Sequence, residues 1–445
     1  MALDKWGSPV SVRDAAALRG LERAIEKLNA YQADPVAEID AVIAEHPDFA
    51  MAHAFRAGVF ATAADKTFDG ELRKSLAAAE ALAGTANDRE RGHIAAAAAW
   101  ARGDFARATE TWGRTAIAFP RDILAIQLAQ LGDFYHGYSF MLRDRVARVL
   151  PHWTRDVPGY GFIQGMYAFG LEEAGEYGRA EAAGREAVAL NPQDGWAVHA
   201  VAHVLEMTGR AGEGISWIRD TAPGWAPGSL FGYHNWWHLA LFYIENGDRD
   251  AALKLFDDSV SAGGFGQALE LVDGAALLWR LNLLGQDVGE RWKTVVDNWR
   301  ARIGHGYYAF NDLHAMMAMV AAGDDKGQAE LLRTVEAAAN GGGTNAMMSR
   351  EVGLPACRGF AAFGRGDYVA AIDHLLPLRA TAGRFGGSHA QRDIFAWTLI
   401  EAALRGGDGT LAQALIAERT AAKPASALTR AWHARARDLP ASRAA

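Results

Sequence analysis

Glycines placed at a near-constant interval constrain the fold of this chain more than any other feature. Gly175, Gly209, Gly247, Gly285 and Gly323 follow one another at spacings of 34, 38, 38 and 38 residues. Each closes an apolar run of helical period and precedes another, as in LEEAGEYGRAEAAGREAVAL and ALFYIENGDRDAALKLFDD. Glycine takes a left-handed conformation after a helix without steric cost. The Asp or Glu that follows several of these glycines suits the start of the next helix. Further units end near Gly103, Gly366 and Gly406, and strand signals are almost absent. A helix–turn–helix unit of about 34 residues is the tetratricopeptide period. One unit fits it closely: Ala180 and Ala187 supply the small residues of the second helix, and Pro192 ends it. The expected fold is all-α, an α-solenoid of degenerate tetratricopeptide-like hairpins curled around a central groove or pocket. Residues 1–445 are expected to form a single repeat domain, clearest over 161–330. A bridging insertion is expected at about 138–160, and a flexible loop at 339–346.

Composition narrows the partners. The formal net charge is −8, against the basic face expected of a nucleic-acid-binding protein, so no nucleic acid is predicted. A single cysteine, Cys357, excludes an internal disulfide and fits a reducing, cytoplasmic setting. The N-terminus lacks the apolar core of a signal peptide. No apolar stretch approaches the roughly 18 residues of a membrane span, so no membrane association is expected. Nothing in the surface composition demands a homodimer, although it allows one.

The chemistry-bearing residues gather on two consecutive predicted helices. His199 and His203, with Glu206, lie in HAVAHVLE; His234 and His238 lie in HNWWH. Four-residue spacing puts each pair on one helix face. Carrying the tetratricopeptide register forward places His199, His203, Glu206, His234 and Trp237 at groove positions, and His238 one step off that face. Asn235 and His238 recur 76 residues later as Asn311 and His314 in FNDLH, which also carries Asp312. Helix N-capping is the simplest role for Asn235 and Asn311. Farther on, SHAQRD brings His389, Gln391, Arg392 and Asp393 to another helix start. Arg392 there suits an anion or a carboxylate across the groove.

Histidines at i and i+4 beside a carboxylate are also standard zinc or iron ligands. HAVAH, however, lacks the Glu of the metalloprotease HExxH motif. On sequence grounds a divalent metal is therefore allowed but not favoured over metal-free acid–base work. Tryptophans beside the site are most simply core, with Trp237 the one placed to stack on a ligand.

The chain resembles the tetratricopeptide repeat protein 38 family along nearly its whole length. The strings that carry the resemblance include RDRVARVLPHW, HAVAHVLEM, HNWWHLAL, FNDLHAMMA, VGLPACRGF and GGSHAQRD. The resemblance implies a solenoid of tetratricopeptide-like repeats and implies no mechanism. Its strings fall here on His199, His203, Glu206, His234, Asn235, Trp237, His238, Asn311, Asp312, Gln391, Arg392 and Asp393; in its pattern His389 is the weakest candidate, better suited to capping.

Together these observations predict a cytoplasmic small-molecule-processing enzyme, a hydrolase or lyase acting on a polar or anionic substrate. His199, His203, Glu206, His234, His238, Asp312 and His314 would be catalytic. Trp237, Asn235, Asn311, Gln391, Arg392 and Asp393 would bind substrate. The alternative is a scaffold that holds a peptide or protein partner in its concave groove.

Overall fold

The computed structural model describes residues 2–439. The chain is an all-α repeat of helical hairpins. Among the described residues, β structure is confined to the pair Ala2–Leu3 and Pro9–Val10 and an isolated bridge from Gln32 to Ser229. Among the described residues no helix is long and apolar enough to cross a membrane.

Local sequence explains where the helices start and stop. Gly175, Gly209, Gly247, Gly285 and Gly323 all adopt φ between +66° and +84°, the left-handed region that ends a helix without strain. Gly103 and Gly366 do the same, whereas the C-terminal unit uses Gly407 rather than Gly406. The aspartates after these turns are caps: Asp104, Asp248, Asp324, Asp367 and Asp408 each accept a backbone N–H of the helix that follows. The segment expected as a bridging insertion holds the helix Ser139–Val149, an ordinary repeat helix packed on Tyr160–Glu173. The expected loop shrinks to four residues between the helices Asp325–Ala339 and Thr344–Met348.

The contacts divide into two compact units, residues up to 201 with 220–232, and residues 202–219 with 233 onward. In the first, Ile123–His136 packs against both Phe105–Ala118 and Ser139–Val149. Its start is locked by a fully buried ionic group, in which Arg89 donates to Asp4 and Asp122, and His93 donates to Asp122. In the second, Ala268–Leu283 is buried along nearly its whole length. It packs against Arg291–Arg300, Ala309–Ala321 and His389–Arg405. Trp279 Nε1 donates to Thr398 Oγ1 at 3.1 Å, tying this helix to His389–Arg405.

Candidate metal centre

Two helices bring three histidines together. His203 comes from Gly195–Met207, and His234 and His238 from Gly232–Glu245. His203 and His238 are fully buried and His234 is 7% exposed. The His203 and His238 rings lie 4.6 Å apart between centroids, and His234 and His238 4.9 Å apart. One ligating nitrogen from each of the three lies within 4.8 Å of the others. Tetrahedral zinc would draw such nitrogens to about 3.3 Å from one another, a side-chain adjustment rather than a refolding.

What surrounds the rings matters as much as their proximity. His234 Nδ1 donates to Asp273 at 2.6 Å, and His238 Nδ1 donates to Glu206 at 3.2 Å. Asp273 lies inside Ala268–Leu283 and is 1% exposed. A carboxylate on Nδ1 fixes the neutral tautomer and leaves Nε2 as the coordinating nitrogen. Burial pushes the His238 pKa well below its ordinary value, and the neighbouring His203 lowers it further, against the raising effect of Glu206. The ring is thereby kept in the neutral form that a metal requires.

Behind the histidines stands an ionic chain. Glu206 accepts from Lys423 Nζ at 2.8 Å, Lys423 also reaches Asp393 at 3.3 Å, and Asp393 accepts from Arg419 and from Trp397 Nε1. Burial alone would raise the Glu206 and Asp393 pKa values, but the cations beside them hold both well below the carboxylate range. Arg280 sits between the faces of Trp237 and Trp397, with its guanidinium 5.3 and 5.6 Å from the two rings. It donates to the carbonyls of Ala276 and Ala390, and burial lowers its pKa to about 10. The void among these groups is about 20 Å³, room for a water molecule and not for a substrate.

Several expected site residues make other contacts or do other work. His199 belongs to the first unit and packs among Phe169, Trp196 and Phe231, with ring separations of 5.0–5.2 Å. Trp237 is fully buried, stacked on His234 at 5.4 Å, and is core rather than a ligand platform. Asn235 and Asn311 lie inside the first turn of Gly232–Glu245 and Ala309–Ala321 and are not N-caps. Gln391 forms a capping box with Ser388, which takes the capping role expected of His389. Arg392 donates to the carbonyls of Gly386 and Gly387, so its fork serves the local backbone. Asp312 is buried, with burial raising its pKa to about 7 and Oδ2 making no hydrogen bond. His314 donates from Nδ1 to the Phe310 carbonyl at 2.7 Å, and burial lowers its pKa to about 4.

Asp273, Arg280, Arg419 and Lys423 were not foreseen. Asp273 and Arg280 interrupt the otherwise apolar run LELVDGAALLWRLNL, a signal for buried charge.

No family model matches the chain. Solved structures with a similar arrangement of helices include the human IFIT1 dimer with PPP-AAAA, at 14% identity and TM-score 0.43, covering 97% of this chain and 95% of that one. A monomeric IFIT1 mutant with Gppp-AAAA is 16% identical at TM-score 0.41, covering 94% and 99%. The human IFIT1 dimer with m7Gppp-AAAA is 15% identical at TM-score 0.36, covering 94% and 98%. The chain itself is an all-α array of helical hairpins. Set beside these RNA-bound structures, three expectations are withdrawn: the small-molecule-processing enzyme, its alternative of a peptide-binding scaffold, and the exclusion of nucleic acid. The geometry removes support from the enzyme independently, because the expected substrate-binding side chains are packed, engaged in capping, ion-paired or bonded to backbone.

Proposed function

We propose that the second unit is a metal-binding repeat in which His203, His234 and His238 hold a divalent first-row ion, zinc in the first instance. One observation carries this reading: two adjacent buried histidines each have Nδ1 engaged by a buried or half-buried carboxylate, beside a third buried imidazole. Carboxylate–histidine pairs of this kind orient metal ligands and raise their basicity. Neutral imidazole donors suit zinc, copper, iron and nickel, and the geometry that zinc prefers leaves a fourth position beyond the three protein donors. The ion would tie Gly195–Met207 to Gly232–Glu245, so that its binding free energy adds to the stability of the fold. We place the chain with the tetratricopeptide repeat protein 38 family on HAVAHVLEM, HNWWHLAL and FNDLHAMMA, in a cytoplasmic setting that its single cysteine suits.

The test is metal analysis of the full chain purified in zinc-containing buffer, with calorimetric titration of zinc into chelator-treated protein. About one equivalent of zinc that chelation removes, with a fall in melting temperature on its removal, is expected. Chelator-treated protein that melts as before and takes up no zinc would overturn the proposal in favour of a purely hydrogen-bonded histidine network.

A further inference from the structure

The first unit contains a second buried polar site, separate in the chain and in chemistry from the histidines. Asp194 precedes Gly195–Met207 and accepts the Ala197 backbone N–H through Oδ1 at 2.9 Å. Its other oxygen, Oδ2, is buried and makes no hydrogen bond. Among the described residues no cationic side chain offsets this carboxylate; burial raises its pKa to about 7, opposed by backbone N–H groups. Gly165 makes room for Oδ2, since a Cβ there would lie 2.9 Å from it.

Three amides line the same small cavity, and one of them, Gln130, gives its NH2 to the Met166 carbonyl at 2.7 Å. Asn29 spends its NH2 on the Ile25 carbonyl at 2.9 Å, and Gln127 spends its own on the Leu28 carbonyl at 3.1 Å. Asn29 Oδ1 and Gln127 Oε1 are then left buried with no donor. Asn29, Gln127 and Asp194 are 2%, 3% and 1% exposed. Tyr31, Phe162 and Trp196 also line the wall, with Tyr31 and Trp196 stacked at 5.5 Å. The void is about 10 Å³, the volume of one water-sized group. Trp196 Nε1 is a buried donor without a hydrogen bond, and the Tyr31 hydroxyl lies within hydrogen-bond reach of Gln127.

Three buried acceptors, one of them an uncompensated carboxylate, are an unusual residue to leave in a core. A single water donates twice and brings no charge. A primary ammonium head is of similar size, donates three times and neutralises the carboxylate. Aromatic faces beside it add cation–π attraction. We infer that this cavity, walled by Asn29, Gln127 and Asp194, is a binding site for a primary ammonium group.

Methylammonium is the probe and methanol, close in size and uncharged, is its control; both are titrated into the full chain by calorimetry and followed by thermal melting. Saturable methylammonium binding that raises the melting temperature, with none from methanol, is expected. Asp194→Asn keeps the cap, because Asn caps a helix as well as Asp, yet should weaken methylammonium roughly tenfold or more. Gln127→Met, near-isosteric and lacking the acceptor, gives a second measurement and should also weaken it. Equal responses to methylammonium and methanol, or methylammonium binding unchanged in both variants, would overturn the inference. So would a crystal grown in methylammonium that shows water alone in the cavity.

Discussion

The strings HNWWH and FNDLH open the helices Gly232–Glu245 and Ala309–Ala321 two repeats apart, and they end in opposite circumstances. In the first, both histidines meet carboxylates from neighbouring helices, Asp273 and Glu206. In the second, Phe310 stands where His234 does, and its ring lies 4.6 Å from His314. His314 turns Nδ1 back to its own helix, and Asp312 keeps an oxygen without a donor. The same sequence register therefore produces a candidate centre in one place and a buried, self-contained histidine in the other. Carboxylates supplied from other helices make the difference.

The largest effect expected from breaking this contrast is on metal content. His238→Ala should abolish zinc binding and the melting shift caused by chelators, whereas His314→Ala should leave zinc content unchanged, whatever it costs in packing. Zinc retained in full by His238→Ala, measured by elemental analysis, would show that the histidine cluster is not the centre.

Next comes the pH dependence of FNDLH. The folded pKa of Asp312, about 7, lies above its ordinary 3.8. Its contribution is thus fully present below pH 3.8 and is lost as pH rises through 7, because the unfolded chain gives up its proton first. His314 runs the other way. Its folded pKa of about 4 lies below 6.5, so its contribution is present above pH 6.5 and lost as pH falls towards 4. Asp312→Asn should therefore gain on the parent by on the order of 1 kcal/mol per pH unit between about 4 and 7. Denaturant titrations at several pH values that show a constant gap between the two proteins would refute this assignment.

A smaller effect sharpens the role of the carboxylates. Glu206→Gln should lower zinc affinity by about 10- to 100-fold while leaving the helical circular dichroism intact. An unchanged affinity would reduce Glu206 to a partner of Lys423. The smallest effect belongs to Arg392, which serves local carbonyls: Arg392→Ala should cost about 1 kcal/mol or less and leave zinc content alone, as parallel melts and metal analysis would show.

Much of the fold was legible because its signals are local. Glycine is needed where φ is positive, and an aspartate two or three residues before a free N–H makes a cap; both requirements sit within a few positions of the chain. The pairing of His234 with His238 was legible for the same reason, being one helical turn. Their surroundings were not. Asp273 lies 39 residues from His234, and Lys423 lies 217 from Glu206. No periodicity links such positions. Register transferred from the 34-residue repeat also misled: it placed Trp237 on a ligand-facing surface and His238 off it, while both side chains are fully buried. With spacings of 38 residues, the face assigned by a shorter repeat turns away from its expected direction.

The bond from Lys423 to Glu206 sets an order of events during synthesis. When the ribosome has made the helices that carry His203, His234 and His238, Glu206 has its imidazole partner but no ammonium. The carboxylate that orients His238 stays electrically unbalanced until roughly the last hairpin has emerged. Any truncation ahead of Lys423 thus removes the counter-charge of Glu206 together with the last hairpins.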